Sequence, residues 1–210
     1  AVDQARNNGA TPLFAACYNG HLKIVQLLCK ARAAVNQAMI DGRTPLLFAC
    51  HEGHLEVARL LLETSAAVNQ ADTRGFSPLF VACQQGQLEC VRLLLEACAA
   101  VNQANENGAT PLYGACHEGH FECARLLLEA GAAVNQAKVA KVNGATPLFI
   151  ACQRGHIEVV RLLLSASAAV NQARVDGWTP LLVACEKGHV EIARLLLSAS
   201  AAVNHARDTG

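Results

Sequence analysis

The chain is 210 residues long, 52% hydrophobic but only 4% aromatic, and its seventeen basic and seventeen acidic side chains cancel. That balance argues against a nucleic-acid footprint, which needs a basic face, and no apolar run approaches the roughly 18 residues of a membrane span. Length alone would suggest one or two globular domains, but an internal repeat overrides that prior.

Thr/Ser-Pro-Leu recurs at Thr11, Thr44, Ser77, Thr110, Thr146 and Thr179, with spacings of 33, 33, 33, 36 and 33 residues. A fixed period of this size marks a stacked array, in which each unit contacts only its neighbours and no central core exists. The repeats run over about 7–39, 40–72, 73–105, 106–141, 142–174 and 175–207, read as one elongated domain over 1–210.

In chain order, Val2-Asp3-Gln4-Ala5 matches Val35-Asn36-Gln37-Ala38, the tail of a unit. Repeat one is the most divergent, with Lys23, Gln26 and Lys30 on its second helix. Repeat two shows the unit most clearly. Thr44 is a good N-cap, and Pro45 stands at the first helical position, where a missing N–H costs nothing. Leu46, Ala49 and Cys50 then come at helical spacing as one buried face. Gly53 ends this helix because glycine enters a left-handed turn without strain. His54 opens a second helix to about Glu63. Its charges, Glu56, Arg59 and Glu63, form one narrow stripe, so the rest must be covered by the first helix and both neighbouring repeats.

Repeat three carries Gln87 where the others have His, and repeat four nearly copies repeat two, with Cys-His-Glu-Gly-His at 50–54 and 116–120. After repeat four, the link Lys138-Val139-Ala140-Lys141 holds three extra residues. They are expected to lengthen one hairpin without breaking the stack, because loops absorb residues cheaply. Repeat six is as apolar as an interior one, and Arg207-Asp208-Thr209-Gly210 reads as the start of a seventh hairpin. Neither end resembles a polar cap, which suggests a fragment of a longer array.

The string T-P-L-x-x-A-C-x-x-G-H-x-E-x-A-R-L-L-L-x-x-x-A-A-V-N resembles the ankyrin repeat, six times over. The resemblance implies an all-α repeat solenoid: an ankyrin-type stack of helix-turn-helix units joined by β-hairpin loops, with the first helix on the concave side. Three departures stand out. The family's usual His after Thr-Pro-Leu is replaced by Phe14, Leu47, Phe80, Tyr113, Phe149 and Leu182. Its usual Asp before Val-Asn is Ala34, Ala67, Ala100, Ala133, Ala169 and Ala202. Its usual Gly after the second helix survives only as Gly131, against Arg32, Ser65, Cys98, Ser167 and Ser200. If those five are left-handed, each turn costs about 1 kcal/mol relative to glycine.

Ten cysteines would suggest disulfides in a small secreted protein. Here Cys17, Cys50, Cys83, Cys116, Cys152 and Cys185 share one core position of successive repeats. Packed helices lie about 8–10 Å apart, whereas bridged cysteines need Cα atoms within about 7 Å. A reduced, buried column is expected, pointing to a cytoplasmic or nuclear compartment. Cys98 is the expected exposed thiol.

Cys50, His51 and His54 together raise the question of zinc. Cys50 and His54 belong to repeat columns, however, and His-Glu-x-His lacks the spacing that puts two imidazoles on one helical face. The column of His21, His54, His120, His156 and His189 is expected to cap the second helix or to link adjacent loops. Glu56/Arg59 and its counterparts are i,i+3 pairs on a solvated face. Asn-Gly and Asp-Gly at 8–9, 41–42, 107–108, 143–144 and 176–177 are hairpin tips. No nucleophile, base and orienting group assemble outside these columns, so the expectation is no enzyme, no metal and no cofactor.

What varies is one face of each repeat. At 100° per residue, the position two after Leu46 points away from the core face; it holds Ala15, Phe48, Val81, Gly114, Ile150 and Val183. Tyr18, His51, His117, Arg154 and Lys187 lie beside it, and Phe76 and Trp178 stand in the hairpins. Large apolar groups on an outward face suggest contact with a partner. The alternative is that several pack only against neighbouring hairpins.

The expected function is a protein-binding scaffold that grips another protein by Tyr18, Phe48, His51, Phe76, His117, Ile150, Arg154, Trp178 and Lys187. It is expected to be a monomer, with end-to-end stacking through uncapped repeats as an option. A structural spacer, or the targeting module of a larger enzyme such as a ubiquitin-ligase substrate receptor, are the alternatives.

Overall fold

The computed structural model describes residues 2–139 and 143–203. It contains twelve helices among them, arranged as two compact units, 1–105 and 106–210. The division falls on the boundary between repeats three and four.

The first unit holds α1 (Pro12–Tyr18), α2 (Leu22–Lys30), α3 (Pro45–Glu52), α4 (Leu55–Glu63), α5 (Pro78–Gln84) and α6 (Leu88–Glu96). The second holds α7 (Pro111–Glu118), α8 (Phe121–Glu129), α9 (Pro147–Arg154), α10 (Ile157–Ser165), α11 (Pro180–Glu186) and α12 (Val190–Ser198). Each unit is a short all-α solenoid. Within it the first helices pack side by side, the second helices form another row, and the two helices of each repeat pack against one another.

The helices start as the caps dictate. The hydroxyls of Thr11, Thr44, Ser77, Thr110, Thr146 and Thr179 each accept from the backbone N–H three residues on, at 3.1–3.3 Å. One orphan donor per helix is thereby satisfied, worth about 1 kcal/mol each. The helix ends are equally local. Gly53 and Gly119 are left-handed, with φ of 78° and 83°. A Cβ at Gly119 would also stand 2.6 Å from Nδ1 of His156 in the next repeat, so a side chain is excluded for two reasons.

The five non-glycine turn residues are indeed left-handed: Arg32, Ser65, Cys98, Ser167 and Ser200 have φ between 58° and 69°. The hairpins are short. Met39 N–H bonds Arg43 C=O at 3.0 Å, Asp72 bonds Phe76 at 3.1 Å, and Arg174 bonds Trp178 at 2.8 Å. Hairpins within a unit are also tied to one another, as by the bond from Thr73 N–H to Asp41 C=O at 2.9 Å. Among the described residues no run of such bonds is long enough to make a strand.

One hairpin closes over a longer span than the others. Lys138 N–H bonds Ala145 C=O across seven positions instead of four, and Val139 N–H still reaches Asn107 C=O at 3.0 Å. Ala140 and Lys141 lie outside the described residues, as do Arg207, Asp208, Thr209 and Gly210.

Two columns hold neighbouring repeats together. His54 Nε2 donates to the carbonyl of Tyr18 and His156 Nε2 to that of His117, both at 3.1 Å. Gln87 substitutes with its amide on the His51 carbonyl at 3.2 Å. These histidines sit at N-cap positions, yet neither caps its helix with its side chain; they link adjacent loops. The asparagine of Val-Asn does the same from the other side. Asn36, Asn69, Asn135 and Asn171 accept, respectively, from the backbone N–H of Ala67, Ala100, Ala169 and Ala202 in the next repeat, at 2.7–2.8 Å.

Candidate partner-binding face

Each hairpin delivers side chains to the edge of the first helix that comes after or before it. In the first unit, Phe48 is 8% exposed, and this corrects its assignment to an open face. Its ring meets Phe14 edge-on at 4.9 Å and Tyr18 at 5.3 Å, both from the preceding first helix. Arg43 covers the ring, with its guanidinium carbon 4.7 Å from the centroid. Ile150, 5% exposed in the second unit, is corrected likewise. Val81, Gly114 and Val183 at the same position are buried too. At Phe48 the ring turns onto the preceding first helix, so that side chain lies laterally rather than open.

The other expected residues are reachable. Tyr18 is 45% exposed, Arg154 and Lys187 are exposed, and His51, Phe76, His117 and Trp178 are half-buried. Phe76 leans edge-on against Phe80 at 4.8 Å, with Arg74 above it at 5.0 Å. His51 Nδ1 donates to Glu52 at 2.8 Å. In the second unit His117 is held on both nitrogens. Its Nδ1 bonds Glu118 at 2.7 Å, its Nε2 faces Arg154 Nη2 at 2.6 Å, and its ring stacks near Tyr113 at 6.4 Å. Arginine can only donate, so Nε2 accepts and the proton sits on Nδ1.

Sequence reasoning did not single out a set of cations that rest on aromatic rings: Arg43, Arg74, Lys138 and Arg174. Lys138 Nζ stands 5.2 Å over the Tyr113 ring and Arg174 5.1 Å over Phe149. In the first unit the pairs are local, as in R-T-P-L-L-F and R-G-F, and were legible as a basic residue close ahead of an aromatic. In the second unit the partners lie about a repeat apart and only stacking brings them together. The hairpin acids order these cations. Asp41 takes both Nε and Nη2 of Arg43, at 2.7 and 2.5 Å, and the hydrogen bond from Arg43 holds the Asp41 carboxyl below its ordinary range. Burial, opposed by nearby Arg154 and Arg174, raises the Tyr113 phenol.

Most of the cysteines face inward. Cys17, Cys50, Cys83, Cys116 and Cys152 are buried, while Cys98 and also Cys185 are exposed. Burial pushes the Cys152 thiol up to about 12 and Cys123 to about 11. Cys50 is raised by the hydrogen bond it gives Cys90 and then by burial. Protonated, buried thiols of this kind are inert packing groups. Among the described residues no group of three or more His, Cys, Asp or Glu side chains is placed to hold a metal ion, and no helix is long and apolar enough to cross a membrane.

Helix-pair repeats joined by inter-repeat hydrogen bonds, with a side-chain-rich hairpin edge, define a repeat protein that presents an extended surface. A family profile described as Ankyrin repeats (3 copies) matches residues 1–72, 65–138 and 133–207. The chain therefore belongs to the ankyrin repeat family, whose repeats generally mediate protein–protein interaction and are typically non-catalytic. Among solved structures it is similar to the human ASB11 ankyrin repeat domain. The two are 32% identical, the match covers 96% of this chain and 89% of that one, and the TM-score is 0.86. No curated protein sequence matches.

Proposed function

We propose that the chain is a non-catalytic scaffold that binds another protein through the hairpin and first-helix edge of its repeats. The observation carrying this reading is a division of labour among side chains. Most members of the Thr, His, Asn and Cys columns are taken up in caps, inter-repeat bonds and core, whereas Tyr18, Phe76, Arg154, Trp178 and Lys187 remain wholly or partly exposed at that edge. Aromatic and arginine side chains are the usual interface anchors. Phe48 and Ile150 support the face from beneath.

The test compares capture of protein partners by the full chain with capture by a variant carrying Tyr18→Ala, Phe76→Ala, Arg154→Glu and Trp178→Ala. A specific partner lost by the variant, with helicity and melting unchanged, supports the reading; a partner retained in full sinks it. The second reading, a targeting module of a larger enzyme, is favoured by the likeness to a structure described as the ankyrin repeat domain of a named protein.

A further inference from the structure

The first unit contains a cleft of about 160 Å³ whose walls include Arg43, His51, Asp72, Arg74, Phe76 and Gln84. Two guanidinium groups lie over aromatic rings, Arg43 on Phe48 and Arg74 on Phe76. A stacked guanidinium presents its N–H groups only from its edge, a fork shaped to receive a carboxylate. One edge of Arg43 is taken by Asp41, which lies outside the cleft wall. The Arg74 side chain is 71% exposed and its ion pair with Asp72 is loose, at 3.8 Å.

Asp72 is the one acid in the lining, and its Oδ1 already accepts from the N–H groups of Arg74 and Phe76, both at 2.9 Å. The wall thus sets two guanidinium groups, one of them shared with Asp41 behind the wall, against one committed carboxylate, and leaves Arg74 only loosely paired. Leu47 and Val81 add apolar surface beside the rings. The cleft has room for a side chain, not for a helix, and suits a charged tip on a short methylene stem. The second unit independently repeats the stacked-cation device at Lys138 on Tyr113 and Arg174 on Phe149.

We propose that the Arg43–Arg74 cleft receives a glutamate side chain presented by an extended acidic segment of a protein partner. This rests on the scaffold reading above and gives it a recognition chemistry.

The test is a titration of the 210-residue chain, ¹⁵N-labelled, with an alternating Gly-Glu peptide, monitored at the backbone amides of Arg43, Arg74 and Gln84. Gly-Gln and Gly-Lys peptides and inorganic phosphate serve as the other arms. The expected result is saturable shifts with Gly-Glu only, weakened about tenfold in Arg74→Ala with melting unchanged. Equal shifts with Gly-Gln, or none with Gly-Glu, overturn the proposal. Saturation by phosphate below the peptide's concentration reassigns the cleft to phosphate and also overturns it. If the cleft fails while the Tyr18/Phe76/Arg154/Trp178 variant still loses its partner, the scaffold reading stands alone.

Discussion

Repeats two and six are written in nearly the same residues yet differ in what they bury. Both open on Thr-Pro-Leu-Leu, and both hydroxyl caps close at 3.1–3.2 Å. In repeat two, Leu47 is 2% exposed and Cys50 is buried; in repeat six, the equivalent Leu182 is 39% exposed and Cys185 is exposed. In the first unit α5 packs along α3, whereas α11 has α9 on one side and no described helix on the other. Local sequence makes the helix, and the neighbour makes the core. A solenoid is stabilised at interfaces between repeats, so the same residue has two energies, depending on whether another repeat packs against it.

The largest expected effect sharpens this contrast. Leu47→Ala should cost about 2–4 kcal/mol, in the range of buried leucine truncations. Leu182→Ala should cost about 1 kcal/mol or less, because much of that side chain is already in water. Urea unfolding of the two variants checks the difference, and equal losses would break the comparison.

A pH effect of comparable size comes next. Cys17 and Cys152 are raised by burial from 9.0 to about 12, so the folded state holds protons that the unfolded chain has lost above pH 9. Their contribution is intact below pH 9 and is lost as pH rises towards 12. Each such thiol weakens stability by about 1.4 kcal/mol per pH unit across that window. Cys152→Ala should flatten the alkaline slope, measured by denaturant unfolding at stepped pH. A thiol-reactive dye should label Cys185 and Cys98 in the native state and Cys50 only on unfolding.

A smaller gain is expected in the left-handed turns. Ser65→Gly and Ser167→Gly should each stabilise by about 1 kcal/mol, since glycine takes a φ of about 65° without a Cβ penalty. Unchanged melting would show that other contacts compensate for the strain. The smallest effect belongs to the solvated face: Arg161→Ala, removing its 3.7 Å pair with Glu158, should cost a few tenths of a kcal/mol.

By itself the sequence determined everything that is decided within a turn or two of chain. Period, Thr/Ser caps, the left-handed Gly53, the hairpin tips and the Glu/Arg pairs such as Arg125–Glu122 at 2.8 Å all lie in the structure as their residue types require, whereas Ser65 is left-handed against its own preference. Each depends on backbone geometry and near neighbours, which a motif carries in full. The open face was less legible. Counting 100° per residue gives a direction from a helix's own partner, but it does not say what stands in that direction; at Phe48 a neighbouring first helix stands there, and Ile150 is buried as well. Nor does a motif show that His54 reaches back to the Tyr18 carbonyl or that Arg174 comes to rest on Phe149. Those contacts join residues about a repeat apart in the chain, and only the stacking of one repeat on the next sets the distance between them.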